Sequence, residues 1–194
     1  VRLARTGLLA LLAAGFGCSA APAVSADGGT FVAFASDFKG FHDWPNQAEA
    51  TPSPSLPPLD AGALGDAGTP GADGGVHPVP QREYWNQNPA PGRTTFPVGF
   101  IVVKETEEAD PTARTVFAMV KRGGAFNVLG AVGWELFELT NRADGTVDIQ
   151  WHGYGPPAGS KDLYGGNPNV CNGCHELAAA NDFVWSSALQ LSSF

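Results

Sequence analysis

The run Val98-Gly99-Phe100-Ile101-Val102-Val103-Lys104-Glu105 is dense in β-branched and aromatic residues and closes on two charges, which reads as a strand. Successive side chains of a strand point to opposite faces, so Phe100, Val102 and Lys104 share one side and Ile101, Val103 and Glu105 the other. Lys104 is thereby turned with apolar neighbours. Four more runs have the same texture between Gly, Pro and Asn punctuation: Arg82 to Gln87, Arg114 to Arg122, Trp134 to Leu139 and Thr146 to Trp151. Phe117, Met119 and Lys121 face together, opposite Val116, Ala118 and Val120. Arg142-Ala143-Asp144-Gly145 suits a hairpin, since Asp-Gly readily takes the positive φ such turns need. The expected fold is mainly β, of the α+β kind: an antiparallel sheet with a few short helices. Cys174 to Ala180 reads as one of those helices and Phe183 to Leu191 as a second apolar element.

Upstream of these strands, Phe31, Phe34, Phe38 and Phe41 recur at helical spacing before Trp44 and Pro45 close the segment. Residues 30–45 are expected to form a short amphipathic helix whose aromatic face packs on the C-terminal part. From Asn46 to Gly75 five Pro, six Gly and six Ala accompany no aromatic residue, too little apolar surface to offset ordering entropy. Residues 46–76 therefore read as a disordered insertion looping out of one discontinuous domain, whose main part is 77–194. A length of 194 residues agrees with one core and appendages.

At the N-terminal end Arg2 and Arg5 precede the apolar run Gly7 to Gly17, the order of a secretory signal. Cys18 follows where a lipoprotein signal places its lipidated cysteine. Residues 1–17 are thus expected to be a signal peptide and 18–29 an exported linker, anchored through Cys18 to a bacterial membrane facing the periplasm. A second reading cuts after Ala20 or Ala26 and discards Cys18. The apolar run is well short of the ~20 residues that span a bilayer. The formal net charge of −8 argues against a nucleic-acid surface, which needs a basic face.

Cys171-Asn172-Gly173-Cys174-His175 is the attachment pattern of a c-type haem. Two thiols separated by two residues can add to the two vinyl groups, and the adjoining imidazole can bind the iron. A two-Cys redox site or a partial zinc site uses the same thiols, but zinc of the usual kind wants a second ligand pair and a thioredoxin-like site wants a βαβ context. The motif comes late and no Met follows it, so the arrangement of small His/Met electron carriers is absent. Met119 reads as a strand core residue.

Taken together, Phe96 to Glu105, Met119-Val120-Lys121, Gly133-Trp134-Glu135-Leu136-Phe137-Glu138-Leu139, Cys171 to His175 and Asn181-Asp182-Phe183-Val184-Trp185 resemble the cytochrome P-460 family, which includes the cytochromes c-prime-beta. The likeness spans roughly Arg82 to Leu191. It implies a β-fold with one covalent haem near the C-terminus, often a homodimer, and an open or water-occupied distal side. His175 becomes the proximal ligand to iron, and Lys104 matches the lysine that hydroxylamine-oxidising members bond to the haem.

One departure matters for function. Those oxidising members carry a distal glutamate where this chain has Phe117, and phenylalanine cannot relay protons. Phe117 resembles the apolar cap of the c-prime-beta members, which admits small gases such as nitric oxide. Arg82 matches a pocket arginine, while His42, His77 and His152 read as loop or surface histidines and Glu135 and Glu138 as solvated strand charges. The expected function is ligand binding at an open iron or electron transfer to a redox partner protein. The alternative is oxidation of hydroxylamine or nitric oxide through a lysine-crosslinked haem.

Overall fold

The computed structural model describes residues 29–49, 69–70, 76–77, 80–109, 114–158, 162–166 and 168–194. The expected signal segment, Cys18 and most of the Pro/Gly/Ala-rich stretch lie outside them. Seven strands form one sheet in the order β1 (Asn46–Glu49), β4 (Gln81–Trp85), β5 (Ile101–Thr106), β6 (Val116–Lys121), β7 (Trp134–Asn141), β8 (Val147–Gly153) and β9 (Tyr164–Gly165). Neighbours run antiparallel except β8 and β9, which are parallel. Two short strands, β2 (Thr69–Pro70) and β3 (Val76–His77), pair separately. The mainly β, mostly antiparallel architecture with few short helices is the expected one.

Pleating divides the core into two layers, one on each sheet face. Ile101, Val103, Val116, Ala118, Val120, Phe137 and Leu139 face Phe38 and Phe41 of the N-terminal segment. Phe100, Val102, Met119, Trp134, Leu136 and Trp151 face Val184, Leu189 and Leu191 of the C-terminal segment. The N-terminal aromatics do find their partner in the later chain, Phe38 lying 5.3 Å from Phe137 and Phe41 5.1 Å from Tyr84 between ring centroids. They do so as two 3-10 turns, Ala35–Phe38 and Phe41–Asp43, broken by Gly40 at φ 70°, instead of one helix. The turn at Arg142 forms as expected, with Gly145 at φ 77°.

Three boundaries differ from the sequence reading. Asn46–Glu49 pairs with β4 as the sheet's edge, so the ordered domain continues past Pro45. The C-terminal helix α1 (Pro168–His175) starts upstream of Cys174 and continues as a 3-10 turn, Glu176–Asn181. Residues 183–190 carry no regular element; Asn181 holds them instead, donating to the carbonyls of Val184 and Leu189. At the far edge, Gly153 and Gly165 let β8 and β9 meet: a Cβ on Gly165 would lie 1.7 Å from the Gly155 carbonyl oxygen. Among the described residues no helix is long and apolar enough to cross a membrane.

Candidate functional site

Antiparallel register builds one row across five strands. Glu83 pairs with Lys104, Lys104 with Phe117, Phe117 with Glu138 and Glu138 with Trp151, all on the face turned to the C-terminal segment. The next row on the same face contributes Val102, Met119 and Leu136. These two rows floor a cavity of about 480 Å³, and Cys171, Cys174, His175 and Val184 close it from the other side. Lys104, Phe117, Cys171, Cys174 and His175 thus line one space, although Phe117 and Cys171 are 54 positions apart.

At one end of the row the cavity is charged. The Lys104 Nζ lies 2.8 Å from Glu49 Oε2 and 3.5 Å from Glu83 Oε1. Burial works against the charge on Lys104, but the carboxylates of Glu83 and Glu49 outweigh it and raise the ammonium above its ordinary range. Glu83 is 1% exposed and also accepts a short hydrogen bond from Ser186 Oγ. Its burial pushes the carboxyl up to about 7, against the opposing pull of Lys104 and the Ser186 hydroxyl.

That elevation has a stability consequence with a definite sign. The folded chain holds the Glu83 proton more tightly than the unfolded chain, so the contribution is complete below about 4.5 and is lost as pH rises through about 7. Glu83→Gln should remove the loss. Urea titrations at pH 5 and pH 8 are expected to show the variant gaining on wild type by up to about 3 kcal/mol across that interval. An equal pH slope in both proteins would exclude a raised Glu83.

The opposite wall is built by α1 and the turn at its C-terminal end. His175 Nδ1 is 2.8 Å from the Phe183 carbonyl, which can only accept, so Nδ1 carries the proton and Nε2 keeps its lone pair. Burial lowers the affinity of His175 for a second proton, and the Lys104 charge adds to that, which keeps the ring neutral. Cys171 and Cys174 are free thiols. Burial, Cys174 and Glu138 push Cys171 up to about 11, and burial also raises Cys174. Both are protonated at neutral pH, unlike the lowered thiols of redox-active pairs.

Asn172, between the cysteines, is 2% exposed and exchanges two hydrogen bonds with Asn127, at 2.9 and 3.1 Å. Its Oδ1 also accepts from the Ala131 N–H. This clamp fastens α1 to the loop before β7. It requires Gly130, where an added Cβ would lie 2.0 Å from Asn172 Cγ.

Placement corrects the expectations for Arg82, Glu135 and Glu138 and agrees with those for His42 and Met119. Arg82 stands on the opposite face, its Nε 2.8 Å from Glu107 Oε1, and is no part of the cavity. Glu135 is 1% exposed, paired with Arg122 at 2.8 Å and His152 at 2.7 Å, so it is buried rather than solvated. Glu138 lines the cavity and accepts a short bond from Trp151 Nε1. His42 bonds the buried Glu105 on the far face, and the side chain of His77 lies outside the described residues. Met119 is a core residue that also lines the cavity.

Glu83, Glu49 and the Phe183 carbonyl are the features the sequence reading missed. Glu83 sits one residue from Arg82, and strand parity alone would have put one of the two in the pocket. Among the described residues no group of three His, Cys, Asp or Glu is arranged to hold a bare metal ion. No family model, curated protein or solved structure matches the chain.

Proposed function

We propose that the chain is an exported monohaem cytochrome of the c type, with a P-460-like fold, that binds small ligands such as nitric oxide at an open iron or passes electrons to a redox partner. The observation that carries this reading is the convergence of Cys171, Cys174 and His175 on one largely apolar cavity, with His175 Nε2 left free by the bond at Nδ1. A macrocycle that bonds two thiols and one imidazole needs those groups together against an apolar wall, and the residues present fit that demand. Once bound, haem supplies an iron that takes a diatomic ligand or an electron.

The protein's own residues then decide what reaches the site. Phe117 and Met119, with Val102 and Leu136, make the middle of the sheet side apolar between Lys104 and Glu138, which penalises polar ligands there through desolvation and leaves small gases unopposed. The Cys18 lipid anchor, periplasmic placement and homodimer belong to the same proposal.

A second reading is favoured by Glu83. As an enzyme oxidising hydroxylamine, the protein would need a proton acceptor in the cavity, and a carboxyl at about 7 beside Lys104 supplies one that Phe117 cannot. Against it stands Lys104 itself: an ammonium held by two carboxylates has no lone pair for a bond to carbon.

Ferric and ferrous absorption spectra of the matured protein, with and without nitric oxide, test the first reading; a five-coordinate ferrous spectrum that shifts with nitric oxide is expected. A six-coordinate spectrum indifferent to nitric oxide would sink it. Tryptic mass spectrometry of Lys104 and a dye-coupled hydroxylamine assay on wild type, Lys104→Ala, Glu83→Gln and Phe117→Glu separate the second. Wild-type turnover is expected to be slow, and rapid turnover lost in Lys104→Ala and reduced at least about tenfold in Glu83→Gln would establish the enzyme.

A further inference from the structure

We propose that Asp182 and Lys121 are positioning residues for His175, acting through the carbonyl of Phe183 and setting the strength of the bond at Nδ1. The proposal rests on the reading of His175 as the proximal ligand. Neither residue lines the cavity, so neither touches what is bound there.

The geometry begins with two successive residues, Asp182 at φ 51° and Phe183 at φ 67°, in the left-handed region that non-glycine residues avoid. A helix end that needs only to stop uses Gly or Asn there, and only one residue of it. Here the doubled left-handed turn directs the Phe183 carbonyl back at His175 Nδ1, 2.8 Å away.

Such a conformation persists only where its surroundings hold it. Asp182 Oδ1 accepts from Lys121 Nζ at 2.7 Å and its Oδ2 from the Phe96 N–H at 2.9 Å. Its carbonyl accepts from Trp134 Nε1 at 2.8 Å, and its N–H donates to Ala179. Lys121 is held in turn by the Val132 carbonyl at 3.3 Å and lies 4.9 Å over the Trp134 ring. Asp182 and Lys121 are 6% and 8% exposed, so each makes the other's burial tolerable. The segment before β5 and strands β6 and β7 thereby reach the proximal imidazole through Asp182.

A hydrogen bond at Nδ1 makes the ring a stronger donor at Nε2 and stabilises the oxidised metal. Weakening the anchor should therefore weaken the iron–histidine bond. The variants are Asp182→Asn, which keeps the side-chain shape and the Phe96 contact, and Lys121→Met, which keeps the bulk. Ile149→Ala, which trims a half-buried side chain on the other sheet face, serves as a control for loss of packing.

In the matured protein both variants are expected to lower the ferrous iron–histidine stretching frequency and raise the reduction potential, with Ile149→Ala unchanged. By nitrogen-15 NMR the His175 Nδ1–H should exchange roughly tenfold faster with solvent than in wild type. That readout needs no haem, so it tests the anchor even if wild type carries none, an outcome that would end the cytochrome reading alone. If Asp182→Asn fails to fold, Lys121→Met decides. Folded variants with wild-type exchange, frequency and potential, or an equal shift in Ile149→Ala, would overturn the proposal.

Discussion

Trp134→Ala is expected to lower the free energy of unfolding by about 3–5 kcal/mol, the range for truncating a fully buried aromatic. Trp134 has no exposed surface and joins the sheet to the C-terminal segment, packing 5.8 Å from the Phe96 ring and donating to the Asp182 carbonyl. Truncation leaves both a void and an orphaned carbonyl. Domains of this size have only about 5–15 kcal/mol to lose, so the variant should be marginal at 37 °C. Trp134→Phe keeps most of the volume and loses the donor, at a cost of about 1–3 kcal/mol. Urea denaturation followed by circular dichroism measures both. A loss under about 1 kcal/mol for the alanine variant would show that the C-terminal segment does not depend on this residue.

Cys171→Ser with Cys174→Ser is expected to abolish covalent pigment altogether. Protein made with a c-type maturation system should keep one haem through acid and organic extraction in wild type, seen as an added mass on the chain. The double variant should release all of it, because a hydroxyl does not form the thioether. Each single variant retains one bond and a shifted spectrum. Arg82→Ala is a useful contrast: Arg82 faces away from the cavity, so its spectrum should match wild type. A colourless wild type, or haem extracted equally from wild type and double variant, would remove the basis of the cytochrome reading.

Local periodicity carried a large part of this structure. The alternation in Phe100 to Glu105 placed Lys104 on the inner face because a strand has a period of two whatever it pairs with. The Cys171 to His175 pattern was equally visible, since its five positions are contiguous. Five strands and the hairpin at Gly145 followed from residue types and punctuation alone.

What lay beyond the sequence was the register between strands that no tight turn joins. Register across β4 and β5 set Glu83, not Arg82, beside Lys104, and a shift of one residue would have exchanged them. Glu135 and Glu138 read as solvated because charge normally marks an exposed face; Arg122 and His152 make burial tolerable for the first, and Trp151 partners the second. Asn46–Glu49 has a polar, unremarkable sequence, and becomes a strand only because β4 offers it unpaired backbone groups. The left-handed turn at Asp182 and Phe183 is the furthest from local preference, for it exists only while Lys121, Phe96 and Trp134, all distant in the chain, hold Asp182 in place. Composition and period determine what a segment can become, whereas the partner of each buried charge depends on which distant strand folds against it.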